Sequence, residues 1–259
     1  MVDEKMKHND NLENLGYTIY HNALSNNITQ EIQNHVKFLS KLYPKTRPEA
    51  FHHNMLVGDP FIHHILNQDC ITKISEHYLG SDFALFGAHY IAKKPYDGKP
   101  VGWHQDGSYW PLKPMKVISL WVAGTYSNKN NGCMRVIPGS QKKEILQPSK
   151  MIKLDPDKYV LDLGIDKKYI KTNDAKNINL NPGDISIHNP NIVHGSNPNY
   201  SSDWRIGLTL RIIPSSTSVI RKNWKCIHLS GKKGDNEYQE KPKFNAKKHM
   251  KFDGWKEFI

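Results

Sequence analysis

The stretch GWHQDGSYW, residues 102–110, sets His104 two positions before Asp106. In extended backbone, residues i and i+2 point to the same side, so these two side chains can converge on one ion. A histidine and a carboxylate make two-thirds of the facial triad that holds non-haem Fe(II) and leaves positions open for other ligands; the triad needs a second histidine. The stretch NPGDISIHNPNIVHGSNPNYSSDWRIGLTLRII, residues 181–213, offers two. His194 follows the strand-like DISIH segment in a turn rich in Gly, Ser, Asn and Pro, where a side chain can leave the ladder. His188 lies inside the strand pattern and reads as structural or as a support behind the ligands.

Oxygenases of this type use a dicarboxylate cosubstrate, 2-oxoglutarate, whose far carboxylate suits a bidentate arginine. Arg205 opens a strand written R-I-G-L-T-L-R. By alternation Arg205, Gly207, Thr209 and Arg211 share one face, and Ile206, Leu208, Leu210 and Ile212 the other. That pattern describes a barrel wall lining a charged pocket, or an amphipathic strand with its arginines in water. Gly207 on the polar face favours the pocket by leaving room for a ligand. In KVISLWVAGT, Val117, Ser119, Trp121 and Ala123 alternate against Ile118, Leu120 and Val122, so Trp121 faces either the cavity or the core.

The elements that must position these residues come in two blocks. Apolar residues at Ile28, Ile32, Val36, Leu39 and Leu42 predict a helix after Ser and Asn caps. DPFIHHILNQ and CITKISEHYLG predict two shorter helices, the second stopped by Gly80. From Phe83 onward the pattern is that of strands: FALFGAHYIAKK, KVISLWVAGT, MRVIPGS, INLN, DISIHN and WRIGLTLRII, separated by turn chemistry. Helices followed by many short strands indicate an α+β fold with a sheet sandwich or barrel. No linker or repeat divides the 259 residues, so one domain is expected over 1–259.

The chain carries 36 Lys and Arg against 25 Asp and Glu, a net charge of +11. The lysines are scattered rather than blocked, which describes a solvated surface more than a nucleic-acid stripe. Cys70, Cys133 and Cys226 are too far apart for a metal knuckle and odd in number, which suits a reducing compartment. The polar N-terminus lacks signal-peptide character and the longest apolar run is too short to span a bilayer. A cytoplasmic protein without a membrane segment is the expectation. The pairs His52-His53 and His63-His64 read as surface or core histidines, since neighbours on a helix diverge by about 100°.

Taken together, W-H-Q-D at 103–106, N-G-C-M-R-V-I-P-G-S at 131–140, G-D at 183–184 and H-G-S-N-P-N at 194–199, with Arg205, resemble the phytanoyl-CoA dioxygenase family of Fe(II)/2-oxoglutarate oxygenases. These pieces span roughly residues 83–213, in order. WHQDGSYWPL and CIHLSGKKGDNEYQEKP are closer to its small bacterial members than to its acyl-CoA enzymes. The family often has His after P-G-S, where this chain has Gln141, a position that is not a ligand. The resemblance implies a double-stranded β-helix (jelly-roll) core with N-terminal helices packed on one sheet. It implies Fe(II) held by His104, Asp106 and His194, and 2-oxoglutarate held by Arg205 with help from Ser196. O2 is the oxidant, and a carboxylate at Asp106 favours hydroxylation over halogenation.

The expected substrate is a small polar metabolite, with an aminoalkylphosphonate such as 2-aminoethylphosphonate the leading candidate. Its anion would meet Lys93, Lys94 or Arg211, and Tyr109, Trp110 and Trp121 are candidate pocket walls. The competing reading is a nucleic-acid demethylase, because Arg205 and Arg211 fit the R-x5-R spacing of the alkylation-repair enzymes. The NGCMRVIPGS segment and the short distance from His194 to Arg205 stand against it. An intact ligand set argues against a non-catalytic binding protein.

Overall fold

The computed structural model describes residues 9–147 and 150–259. It is a mixed α/β structure in which every named strand pairing is antiparallel. Helices α1 (Asn9–Leu15), α2 (Asn26–Leu42), α3 (His53–Leu56), α4 (Pro60–Leu66) and α5 (Asp69–Leu79) all precede the strand-rich part. The predicted helical periodicity puts Ile28, Ile32, Val36 and Leu39 on the buried face of α2, behind a Ser25 cap that accepts from the Ile28 N–H. Asp59 caps α4 by accepting from the Phe61 N–H, and Pro60 stands where no N–H is missed. Gly80 ends α5 at a φ of 83°, as expected of a glycine stop.

One sheet has six strands in the order β1-β10-β5-β12-β2-β14. These are Tyr17–Tyr20, Ile185–His188, Ile118–Ala123, Arg205–Pro214, Phe83–Lys93 and Ile227–Ser230. The second sheet has the order β3-β11-β6-β9, formed by Val101–His104, His194–Ser196, Met134–Val136 and Lys176–Asn177. Two small ribbons complete the set: β4 (Leu112–Lys113) with β13 (Ser218–Val219), and β7 (Ile152–Lys153) with β8 (Leu163–Gly164).

Alternation sorts the long strands by face. Ile206, Leu208, Leu210 and Ile212 of β12 join Leu120 and Val122 of β5 and Leu85 and Tyr90 of β2 in the largest core, against Ile32, Val36 and Leu39 of α2. The helices therefore pack on one face of the six-stranded sheet, and the other face is left to the polar residues. A buried chain ties the layers: His35 Nε2 lies 3.1 Å from the Asp59 carboxylate and its Nδ1 3.0 Å from the Tyr90 hydroxyl. Every polar atom in that chain gains a partner, which is the condition for burying it.

Some elements differ from the sequence reading. INLN is not a strand: Leu180 makes an isolated bridge to Ser127, the Ile178 N–H donates to the Met134 carbonyl at 2.8 Å, and the strand of that region is Lys176–Asn177. Ile178 and Leu180 are buried as side chains without a continuous ladder. β1, β3 and β14 are short and half polar, so they carry no period long enough to read. Gly207 also has a different role from the one expected. A Cβ there would lie 1.9 Å from Trp121 Cζ2, so the space it leaves is filled by the indole rather than by a ligand.

Leu208 is fully buried at the centre of the sheet–helix interface. Leu208→Ala is expected to lower unfolding free energy by about 2–5 kcal/mol, read by urea denaturation, from lost transfer energy plus a cavity. A change under about 0.5 kcal/mol, the usual size of surface substitutions, would contradict this packing.

Candidate functional site

The face of the six-stranded sheet turned away from the helices borders a cavity of about 450 Å³. His104, Asp106 and His194 lie on its wall, and one ligand atom from each falls within 4.8 Å of the others. The strand β3 ends at His104, but Gln105 stays extended (φ −115°, ψ 124°), so alternation carries on to Asp106 at the start of a 3-10 turn. His194 is the first residue of β11 rather than a turn residue, and it stands directly opposite His104 in register. The two rings are 4.1 Å apart, centre to centre.

Both imidazoles are set the same way. His104 Nδ1 is 2.8 Å from the Gly102 carbonyl and His194 Nδ1 is 3.0 Å from the Ile192 carbonyl. A carbonyl only accepts, so each Nδ1 carries the proton and each Nε2 offers a lone pair, the form a metal needs. Burial, then neighbouring His104, holds His194 well below the usual histidine range, keeping it neutral. Burial alone would raise the Asp106 pKa. The Arg211 guanidinium, followed by His104 and His188, outweighs it and keeps the carboxyl well below the usual carboxylate range. Asp106 Oδ1 faces His104 Nε2 at 3.4 Å, while the buried Oδ2 has no hydrogen-bond partner among the described residues. Two imidazoles held by their Nδ1 bonds, an ionised carboxylate and an unsatisfied oxygen form a donor set that fits a divalent metal.

Gln105, inside the same motif, is a supporting residue that its neighbours overshadow in sequence. Its amide donates to the Asn191 carbonyl at 2.8 Å, and its oxygen accepts from the Leu146 N–H at 2.9 Å. It pins the turn carrying Asp106 to the loop preceding His194. His188 sits behind the carboxylate, with Nε2 3.5 Å from Asp106 Oδ2, as a support rather than a third imidazole of the cluster. Gln141 donates to the Glu13 carbonyl at 2.8 Å and does not border the cavity.

Arg205, Thr209 and Arg211 all border the cavity, so the polar face of β12 is a pocket wall and its arginines are not in water. Arg205 is 1% exposed, its guanidinium lies 5.4 Å over the Trp121 ring, and its Nε and Nη2 have no hydrogen-bond partner among the described residues. Burial lowers its pKa to about 10, so it stays cationic at neutral pH. Ser196 lies on the same wall and accepts from the Lys93 ammonium at 2.7 Å. A buried guanidinium with two unpaired nitrogens fits a carboxylate. Trp121 meets both expectations at once, as it packs with Ala123, Met134 and Val136 and borders the cavity.

At the other end, Arg211 Nε is 3.9 Å from Asp106 Oδ2 and its guanidinium lies 5.2 Å over Trp110. Tyr109 lines the cavity with its hydroxyl bonded to the Leu163 carbonyl at 2.9 Å. Lys93 and Lys94 do not border the cavity. Lys93 is turned to Ser196 and the Asn197 carbonyl, so it is not a direct substrate contact. Sequence reasoning missed Phe86, Arg221 and Trp224, which join the wall from β2 and from the segment after β13. Trp224 donates to the Phe86 carbonyl at 2.7 Å and stacks on His53 at 4.8 Å.

The pair His52-His53 thus borders the cavity without entering the metal cluster, while His63 is satisfied by the Val57 carbonyl. Burial, with the nearby Arg211 charge adding to it, lowers His53 to about 4 and His89 to about 3. An unfolded histidine takes its proton near 6.5. Between about pH 6.5 and 4 the unfolded chain therefore binds more protons, and stability falls as pH drops through that window. Urea midpoints measured from pH 7 to 4.5 are expected to fall, with a shallower slope in His53→Gln. An unchanged slope in that variant would sink the assignment.

The family model described as phytanoyl-CoA dioxygenase (PhyH) matches residues 15–207. A phytanoyl-CoA dioxygenase domain-containing protein 1 homolog of Dictyostelium discoideum is 33% identical over 144 residues, 54% of this chain and 50% of that protein. The peroxisomal phytanoyl-CoA dioxygenase of Bos taurus is 30% identical over 154 residues, 58% of this chain and 45% of that one. A probable alpha-ketoglutarate-dependent hypophosphite dioxygenase of Stutzerimonas stutzeri is 23% identical over 138 residues, 53% of this chain and 48% of that one. The chain spans about half the length of these curated relatives. Among solved structures, an apo non-heme monooxygenase, ThoJ, superposes with a TM-score of 0.76 at 19% identity, covering 90% of this chain and 87% of that one. The epimerase SnoN, in complex with Fe3+, alpha ketoglutarate and nogalamycin RO, gives 0.66 at 15% identity, covering 86% and 88%. With the family model matched over three-quarters of the chain, including both metal-site motifs, the chain belongs to the phytanoyl-CoA dioxygenase family.

Proposed function

We propose that this chain is one Fe(II)/2-oxoglutarate-dependent dioxygenase domain that hydroxylates a C–H bond of a small anionic metabolite. The observation that carries the reading is a convergent pair of sites on one cavity: three metal-type donors within 4.8 Å, and a buried arginine with two unpaired nitrogens. The order of the two sheets and their shared cavity support a double-stranded β-helix. In this reading His104, Asp106 and His194 hold the metal, and Arg205 with Ser196 and Trp121 receives the distal carboxylate of 2-oxoglutarate.

When bound, Fe(II) and 2-oxoglutarate supply O2 activation coupled to decarboxylation, which ends in a hydroxylated product, succinate and CO2. The chain's own residues supply geometry and exclusion. Paired carbonyl bonds hold the two imidazoles with Nε2 turned inward, and the Gln105 clamp keeps Asp106 beside them. Arg205, buried on Trp121, fixes the cosubstrate's orientation by a charge-assisted bond that water does not screen. Arg211 lies beside Asp106, where it can seat a substrate anion close to the metal.

Charge supports the substrate class. Among the described residues bordering the cavity, Asp106 is the only carboxylate against Arg205, Arg211 and Arg221. An aminoalkylphosphonate fits that balance through its phosphonate, with Trp110, Phe86 and Trp224 offering rings for the amine-bearing chain. The hypophosphite dioxygenase relative also bears a phosphorus oxyanion in its name.

Iron-loaded protein is expected to release succinate from 2-oxoglutarate, with His104→Ala, Asp106→Ala and His194→Ala each reducing release to background. 2-Aminoethylphosphonate or its N-methylated relatives should stimulate release. Failure of all of them would end the phosphonate reading, and failure of every small anion tested would end the hydroxylase reading. A salt-dependent gel shift with single-stranded DNA or RNA would favour the demethylase instead.

A further inference from the structure

We propose that Lys93 is a positioning residue for the cosubstrate's distal carboxylate, acting through Ser196; this rests on the cosubstrate reading above. Lys93 ends β2 directly opposite Arg205 in β12, so the two cations are neighbours across the sheet. Its side chain is wholly buried. The ammonium donates to Ser196 Oγ at 2.7 Å and to the Asn197 carbonyl. The backbone that carries it is fixed by close neighbours. A Cβ on Gly98 would lie 2.4 Å from Lys93 Cβ, and Asn199 Nδ2 donates to the Lys93 carbonyl at 3.3 Å.

The consequence is a direction for one proton. A serine hydroxyl has one O–H to donate and lone pairs with which to accept. Because the lysine donates to the Ser196 oxygen, the hydroxyl proton points elsewhere. Ser196 borders the cavity that also receives Arg205, whose Nε and Nη2 are unpaired. The lysine therefore presets Ser196 as a donor into the cavity it shares with Arg205, complementary to a carboxylate and indifferent to a neutral group.

A purely structural role accounts poorly for Lys93. No carboxylate forms an ion pair with it among the described residues; its partners are a hydroxyl and a carbonyl. Burying a charge without a counter-charge is costly, and an apolar residue of the same length would fill the space more cheaply. Two buried cations side by side are compensated once a carboxylate arrives at Arg205.

The test uses full-length protein loaded with Zn(II) in place of Fe(II), so that binding is read without turnover. Calorimetry would compare 2-oxoglutarate with 2-oxobutyrate, which keeps the keto-acid end and lacks the distal carboxylate. Lys93→Met is expected to weaken 2-oxoglutarate at least tenfold and leave 2-oxobutyrate within twofold, with Lys93→Arg recovering most of the loss. In the Ser196→Ala background, Lys93→Met should add little, because the lysine acts through that hydroxyl. Equal weakening of both ligands, or no weakening of 2-oxoglutarate, would overturn the proposal. If thermal melting shows that Lys93→Met does not fold, Lys93→Gln takes its place under the same criteria. Wild-type protein that binds no 2-oxoglutarate would instead overturn the cosubstrate reading itself.

Discussion

The hydrogen-bond register between β3 and β11 is the constraint on which the site depends. It sets His194 across from His104, and a slip of one residue would turn either ring to the opposite face of the sheet. The close approach of these strands needs Gly195, where a Cβ would come 2.9 Å from the Val101 carbonyl. Each imidazole is then locked by a carbonyl two residues before it on its own chain. The same local device on two antiparallel strands turns both Nε2 atoms toward one point. Asp106 joins them because Gln105 and the Gly107 N–H, bonded to the Pro190 carbonyl, hold its turn against the loop before β11.

Electrostatics divides the cavity into two ends. Near the metal-type donors, Asp106 is ionised by Arg211 and by surrounding imidazoles, despite a burial penalty in the other direction. At the far end lies Arg205, with Lys93 behind the wall, and among the described residues neither has a carboxylate partner. Burial, and then the adjacent Arg205, push Lys93 well below the usual lysine range. A binding site that stores uncompensated charge of one sign gains selectivity from it, since only an anion relieves the cost. The arginines at 205 and 211, six apart on one strand face, thereby serve different ends of one cavity.

The rest of the fold exists to keep that strand face polar and dry. On β12 the aliphatic residues go to the helix-covered core and the arginines go to the cavity. The two sets are inseparable, because a strand cannot bury one face without presenting the other. Trp121 mediates between them. It fills the notch above Gly207, packs with Met134 and Val136, and lends its ring face to Arg205. Its volume explains why a glycine stands in the middle of an otherwise aliphatic and cationic strand.

Local chemistry decided much of this in the sequence alone. The 3.6-residue period of α2, the Gly80 stop and the alternation of β5 and β12 follow from short-range rules and appear where those rules put them. The spacing of His104 and Asp106 and the Arg205 and Arg211 face were legible for the same reason. The strand pattern and the resemblance already favoured His194 over His188, and the tertiary structure supplied the reason, which is the strand that lies beside β3. The tertiary structure alone turned Lys93 inward to Ser196, gave the Gly207 notch to Trp121, and brought Phe86, Arg221 and Trp224 onto one wall. Those are contacts between residues far apart in the chain, set by register and packing rather than by any period a sequence displays.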